Sequence, residues 1–131
     1  MRKFIQNKLW RDKAPALMEQ MGSIIHCTLL DDKEYDKQLR EKLIEEIQEV
    51  VAAKNQKELT EELADIFEVI DALCALHGIN KSEILKAQEE KKQKRGGFYE
   101  RKFVTIAEHP EGSFGERYCL AQPEKYPVVK E

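Results

Sequence analysis

Five acidic residues stand at spacings that can do chemistry. Glu45, Glu46 and Glu49 form EE-x-x-E, and Glu62 and Asp65 form E-x-x-D after twelve intervening residues. On a helical wheel at about 100° per residue, each group puts one acid inside an apolar arc and a second on its shoulder. Around Glu46 lie Leu39, Leu43, Ile44, Ile47, Val50 and Val51, with Glu49 at the edge and Glu41 and Glu45 pointing away. Around Glu62 lie Leu63, Ile66, Phe67, Ile70, Leu73 and Cys74, with Asp65 at the edge and Glu61, Glu68 and Asp71 facing outward. In an antiparallel pairing Glu49 stands opposite Glu62, and Glu46 opposite Asp65, one helical turn apart. Burying one unpaired ionised carboxylate costs on the order of several kcal/mol, and four together repel. Either basic side chains or a hard divalent cation must neutralise them. Lys42 is the one basic residue on that shoulder, and one lysine is not enough. An all-oxygen donor set without His or Cys suits Mg²⁺ or Mn²⁺ better than zinc. A solvated acidic face in a Glu-rich chain explains one such motif, but not two in matched register.

Basic residues sit where they can meet a polyphosphate. Ile84, Gln88, Lys91 and Arg95 share one helical face that begins apolar and ends basic, and Gly96-Gly97 follow at once. Near the N-terminus Lys8, Arg11 and Lys13 flank Trp10 in KLWRDK. Taken singly, each run is an ordinary solvated charge run. Beside a carboxylate–Mg²⁺ cluster, Lys and Arg arms are what holds the phosphates of a nucleotide. Trp10 is more ordinarily a packed residue than a platform for a base. His26, His77 and His109 form no ligand set, and His77 falls in a last helical turn, where it meets the dipole. No phosphate-binding glycine loop is present, and no Ser or Cys nucleophile stands out.

The elements that must position these groups are helices. Asp31/Glu34, Asn55/Glu58 and Asn80/Glu83 each pair an N-cap type with Glu three positions on. They predict helices over 32–53, 57–77 and 81–94, stopped by Gly78 and by Gly96-Gly97. Short links make neighbours antiparallel. Pro15 opens a short helix over 14–21 that Gly22 ends. Lys3 to Trp10 reads as extended. Ser23 to Leu30 is rich in β-branched residues and reads as a strand, and Phe98 to Ile106 alternates like a second. From His109 on, prolines and glycines suggest irregular chain. The expected fold is mainly α: an antiparallel core of about three main helices, a short N-terminal helix, and minor β strands near both ends.

Composition bounds the rest. The 131 residues make one domain by length, 36% of them are charged, and the net charge is −3. That excludes binding of a nucleic-acid polymer through bulk basicity. The longest run without Asp, Glu, Lys or Arg, Gln20 to Leu30, is too short for a membrane span, and the first residues lack the apolar core of a signal peptide. Cys27, Cys74 and Cys119 make neither a zinc spacing nor a disulfide framework, so a cytoplasmic location is expected.

Together these segments resemble the all-α nucleoside triphosphate pyrophosphohydrolases, the MazG-like superfamily. The likeness lies in E45-E46-x-x-E49 with E62-x-x-D65, in K8-L-W-R-D-K13, and in K91-K-Q-K-R-G-G-F98, over about residues 8–105. It is strongest to the branch called phosphoribosyl-ATP pyrophosphohydrolase-like, or house-cleaning nucleotide pyrophosphatase; the extension over 107–131 lies outside it. The resemblance implies Mg²⁺ ligation by Glu46, Glu49, Glu62 and Asp65, and a homodimer or homotetramer built as a helix bundle. It implies cleavage between the α- and β-phosphates of a nucleotide, giving a monophosphate and pyrophosphate. Glu46 or Glu49 would then be the general base, and Lys8, Arg11, Lys13, Lys91 and Arg95 the phosphate-binding groups. Two alternatives stand beside it: the same chemistry on phosphoribosyl-ATP in histidine biosynthesis, and a non-catalytic helical oligomerisation or regulatory module whose acids pair with a partner's lysines.

Overall fold

Side-chain caps start the two longest helices. The structure, a computed structural model, describes residues 1–130. Its helices are α1 (Ala14–Gln20), α2 (Asp32–Ala52), α3 (Gln56–His77), α4 (Lys81–Arg95) and α5 (Phe114–Leu120). The Glu34 amide donates to Asp31 Oδ1 at 2.8 Å, and the Glu58 amide donates to Asn55 Oδ1 at 2.8 Å. Glu58 returns the favour by accepting from the Lys54 amide at 2.8 Å. At α4 the Asn80 side chain is not the cap. Glu83 accepts from the Asn80 amide at 3.1 Å, while its own amide donates to the Asn80 carbonyl at 2.9 Å. Gly78 ends α3 at φ 65°, a left-handed conformation that glycine adopts without a Cβ penalty.

α2 and α3 form the antiparallel hairpin that holds the acids, joined by 53–55. Its interior is small: Leu39, Val69 and Cys74 are the buried apolar residues, and Glu46 is buried with them. Ile44, Ile47, Val51, Leu63 and Phe67, on the same two helices, remain exposed. α4 buries none of its residues, because KSEILKAQEEKKQKR offers too few apolar side chains to make a packing face. The expected third layer of the antiparallel core is therefore missing within one chain.

The expected β strands are also absent among the described residues. Ser23–Leu30 and Phe98–Ile106 carry no regular structure. β-branched residues favour extended backbone, but a strand is stabilised by cross-strand partners, and neither segment has one. Ile24, Leu29, Phe98, Phe103 and Val104 are accordingly exposed.

The chain divides into two compact units, Met1–Lys94 and Arg95 onward. In the second, α5 was expected to be irregular chain and is instead a capped helix. The Glu116 amide donates to Ser113 Oγ at 3.3 Å, and Glu116 accepts from the Gly112 amide at 3.0 Å. Phe114, Tyr118 and Tyr126 make successive tilted ring contacts there, with centroids 5.9 and 5.7 Å apart. The three cysteines are free thiols, Cys74 buried and Cys27 exposed. No helix among the described residues is long and apolar enough to cross a membrane.

Candidate metal and phosphate site

The hairpin register brings carboxylates from both helices to one point. Oxygen atoms of Glu46 on α2 and of Glu62 and Asp65 on α3 all lie within 4.8 Å of one another. Glu46 is only 7% exposed, while Glu62 and Asp65 are half-buried. Glu49 is exposed and stands outside this trio, lining a shallow recess with Ala52, Ala53, Glu58 and Glu62. Burial pushes the Glu62 carboxyl above its ordinary value, helped by its hydrogen bond with Glu46 and by the charges of Asp65, Glu46 and Glu49.

Protein cations neutralise this cluster only in part. Lys42 Nζ lies 3.6 Å from Glu46 and is shared with Glu45 at 3.2 Å. Arg11 Nη2 lies 2.5 Å from Asp65 Oδ1. Glu62 makes no ion pair among the described residues. Three close carboxylates with one and a half cations between them leave negative charge that a hard divalent ion would satisfy. The donors are all oxygens, as Mg²⁺ and Mn²⁺ prefer. The residues present therefore fit such an ion, with Glu46, Glu62 and Asp65 as its protein ligands.

Of the predicted phosphate-binding residues, two reach the hairpin. Arg11 is on Asp65, and Lys8 Nζ lies 3.3 Å from Glu45 Oε1. Burial raises the Glu45 carboxyl, but hydrogen bonds from Lys42 and Lys8 outweigh it and hold the group below its ordinary range. Lys13 and Lys91 pair with no acid among the described residues, and Lys91 lies on exposed α4. Arg95 belongs to the second unit, where its charge, after hydrogen bonds from Tyr126 and Gln122 and the Lys125 charge, helps lower the Tyr118 phenol. Trp10 is half-buried.

Two contacts were not read from the sequence. The Arg11–Asp65 pair is one, because nothing in KLWRDK says which acid its arginine meets. The other lies at the far end of the hairpin, where His77 Nε2 and Asp36 Oδ1 are 2.6 Å apart and Arg40 Nε is 3.2 Å from Asp36 Oδ2. The His77 hydrogen bond holds Asp36 below its ordinary value, and Arg40 adds to the effect. The antiparallel pairing that aligns the acids puts residue 36 opposite residue 75, within one helical turn of residue 77, so the register brings this pair close.

A family model described as phosphoribosyl-ATP pyrophosphohydrolase matches residues 19–92. The match takes in the whole hairpin with its acids and most of α4, and leaves out Lys8, Arg11, Lys13 and Arg95. No curated protein and no solved structure matches the chain.

Proposed function

Since the chain belongs to the phosphoribosyl-ATP pyrophosphohydrolase family, part of the MazG-like all-α superfamily, we propose that it is an Mg²⁺-dependent nucleoside triphosphate pyrophosphohydrolase. It cleaves between the α- and β-phosphates to release a nucleoside monophosphate and pyrophosphate, and it clears non-canonical nucleotides. The observation that carries this reading is the meeting of Glu46, Glu62 and Asp65 within 4.8 Å across two helices. A bound Mg²⁺ supplies Lewis-acid polarisation of phosphate oxygens. Glu49 takes the proton of the attacking water. It is exposed, outside the trio and beside Glu62, so it keeps a free carboxylate while the others are engaged. Arg11 and Lys8 neutralise phosphate charge from the N-terminal side, and Lys91 from α4.

A second substrate is favoured by the family's own description: phosphoribosyl-ATP, which offers the same anhydride. A panel of ordinary and damaged nucleoside triphosphates and phosphoribosyl-ATP, scored by pyrophosphate release with Mg²⁺, separates the two, and complementation of a histidine auxotroph adds a cellular readout. Glu62→Gln or Asp65→Asn is expected to abolish Mg²⁺-dependent release while leaving the helices intact by circular dichroism. Full activity in either variant removes the assignment.

The active unit is a homo-oligomer. Ile44, Ile47, Val51, Leu63 and Phe67 are exposed on a hairpin that buries only three apolar residues, and a second copy of the same hairpin is the complement that completes a helix bundle. Light scattering should give the mass of a dimer or tetramer, and Ile47→Glu with Phe67→Glu should give a monomer.

A further inference from the structure

The N-terminal segment touches the hairpin at two points of unequal kind. Asn7 turns the chain with φ 49°. Lys8 then reaches Glu45 on α2 at 3.3 Å, and Arg11, three residues on, reaches Asp65 on α3 at 2.5 Å. Residues 8–11 thus span the two helices at the level of the carboxylate trio. Glu45 shares Lys42 with Glu46 but is not one of the trio, whereas Asp65 is. One end of the span is therefore tied to a bystander acid and the other to a metal-ligand candidate.

A divalent ion and a guanidinium compete for Asp65. Both seek the lone pairs of the same carboxylate, and a doubly charged ion held there repels a guanidinium a few Å away. The pair is also easy to exchange, because the Arg11 side chain is 62% exposed and exposed ion pairs are weak. Lys8 faces no such competitor. We propose that residues 8–11 form a cation-gated strap: Arg11 occupies Asp65 while the carboxylate trio holds no metal, and metal binding detaches it while Lys8 stays anchored. The freed guanidinium stands at the rim of the site with its planar donors open to a phosphate. The order of events follows: metal first, then the arginine is available to the nucleotide. This inference rests on the proposed metal site, and its test separates the two.

Trp10 is the chain's single tryptophan, is half-buried, and adjoins Arg11, so its emission reports the strap. Full-length protein is titrated with MgCl₂ alone, followed in parallel by calorimetry and by Trp10 fluorescence. In the wild type, the emission change should saturate with the calorimetric Kd. Arg11→Met should bind Mg²⁺ about two- to five-fold tighter, the range expected for removing an exposed ion-pair competitor, with no accompanying emission change. Arg11→Lys should restore most of the competition. Lys8→Met should leave Mg²⁺ affinity unchanged. Unchanged or weaker binding in Arg11→Met overturns the strap, as does calorimetric Mg²⁺ binding in the wild type with silent Trp10. No calorimetric binding in the wild type overturns the metal site itself.

Discussion

Replacing Glu46 by Gln separates a metal ligand from a structural ion-pair partner. In the metal-free protein Glu46 has one cationic neighbour, Lys42 at 3.6 Å, and Lys42 keeps Glu45 at 3.2 Å when Glu46 loses its charge. A pair of this kind contributes at most about 1 kcal/mol. The substitution also removes the repulsion that Glu46 feels from Glu62 and Asp65 within 4.8 Å. The two effects oppose, so the metal-free melting temperature should stay the same or rise. With Mg²⁺ the contrast is large. An ion at about 100 times its Kd stabilises the folded state by about 2.7 kcal/mol. In a domain of this size each kcal/mol moves the Tm by about 3–5 °C. Wild-type protein should therefore gain about 8–13 °C under those conditions, and Glu46→Gln less than about 2 °C. The assay is thermal melting by circular dichroism at one protein concentration, with and without MgCl₂. Retention of the full shift by the variant refutes ligation by Glu46. A variant that melts about 5 °C or more below wild type without metal refutes the claim that Glu46 is tolerated for its ligand role.

Other outcomes follow from the same structure. Glu49→Gln should lower kcat by at least about 100-fold, the ordinary worth of a general base, while keeping the Mg²⁺-induced Tm shift; loss of that shift would make Glu49 a ligand instead. Glu62 titrates above its ordinary value of 4.5. Its contribution to stability is thus complete below that value and is lost as pH rises through the raised one. Glu62→Gln should remove this decline from the metal-free pH–Tm profile. Asp36 has the opposite sign. It is held below 3.8, so its contribution is present above that value and is lost as pH falls through the lowered one. Asp36→Asn should therefore flatten the acid limb of the same profile. Asp31→Ala should cost about 1 kcal/mol by leaving the Glu34 amide without its cap, measured by urea unfolding. Leu39→Ala, at a site 4% exposed, should cost about 2–5 kcal/mol in the same experiment.

What could be read from the residues was local. Asp31 and Asn55 announce α2 and α3 because an N-cap bond spans three residues and needs nothing else. The convergence of Glu46, Glu62 and Asp65 follows from two wheels and one antiparallel register. Errors arose where the outcome depends on distant partners or on a short signal. Ser23–Leu30 has the composition of a strand, yet a strand is a property of two segments. α4 has the length of a core helix but not the face of one. α5 hides its Ser113/Glu116 capping box among glycines and a proline, which by themselves read as irregular chain. Arg11 reads as a phosphate-binding group from its charge and setting. Its seat on Asp65 depends on the turn at Asn7 and on where residues 8–11 cross the hairpin, and no periodicity encodes that.

The small apolar interior of the α2–α3 hairpin also bears on how the enzyme is handled. If its hydrophobic surface is completed by another copy, dilution unfolds it, since mass action and folding become one equilibrium. Rates per subunit measured at nanomolar protein would fall short of those at micromolar protein, and a curved plot of velocity against enzyme concentration would record the same bond that size-exclusion chromatography sees.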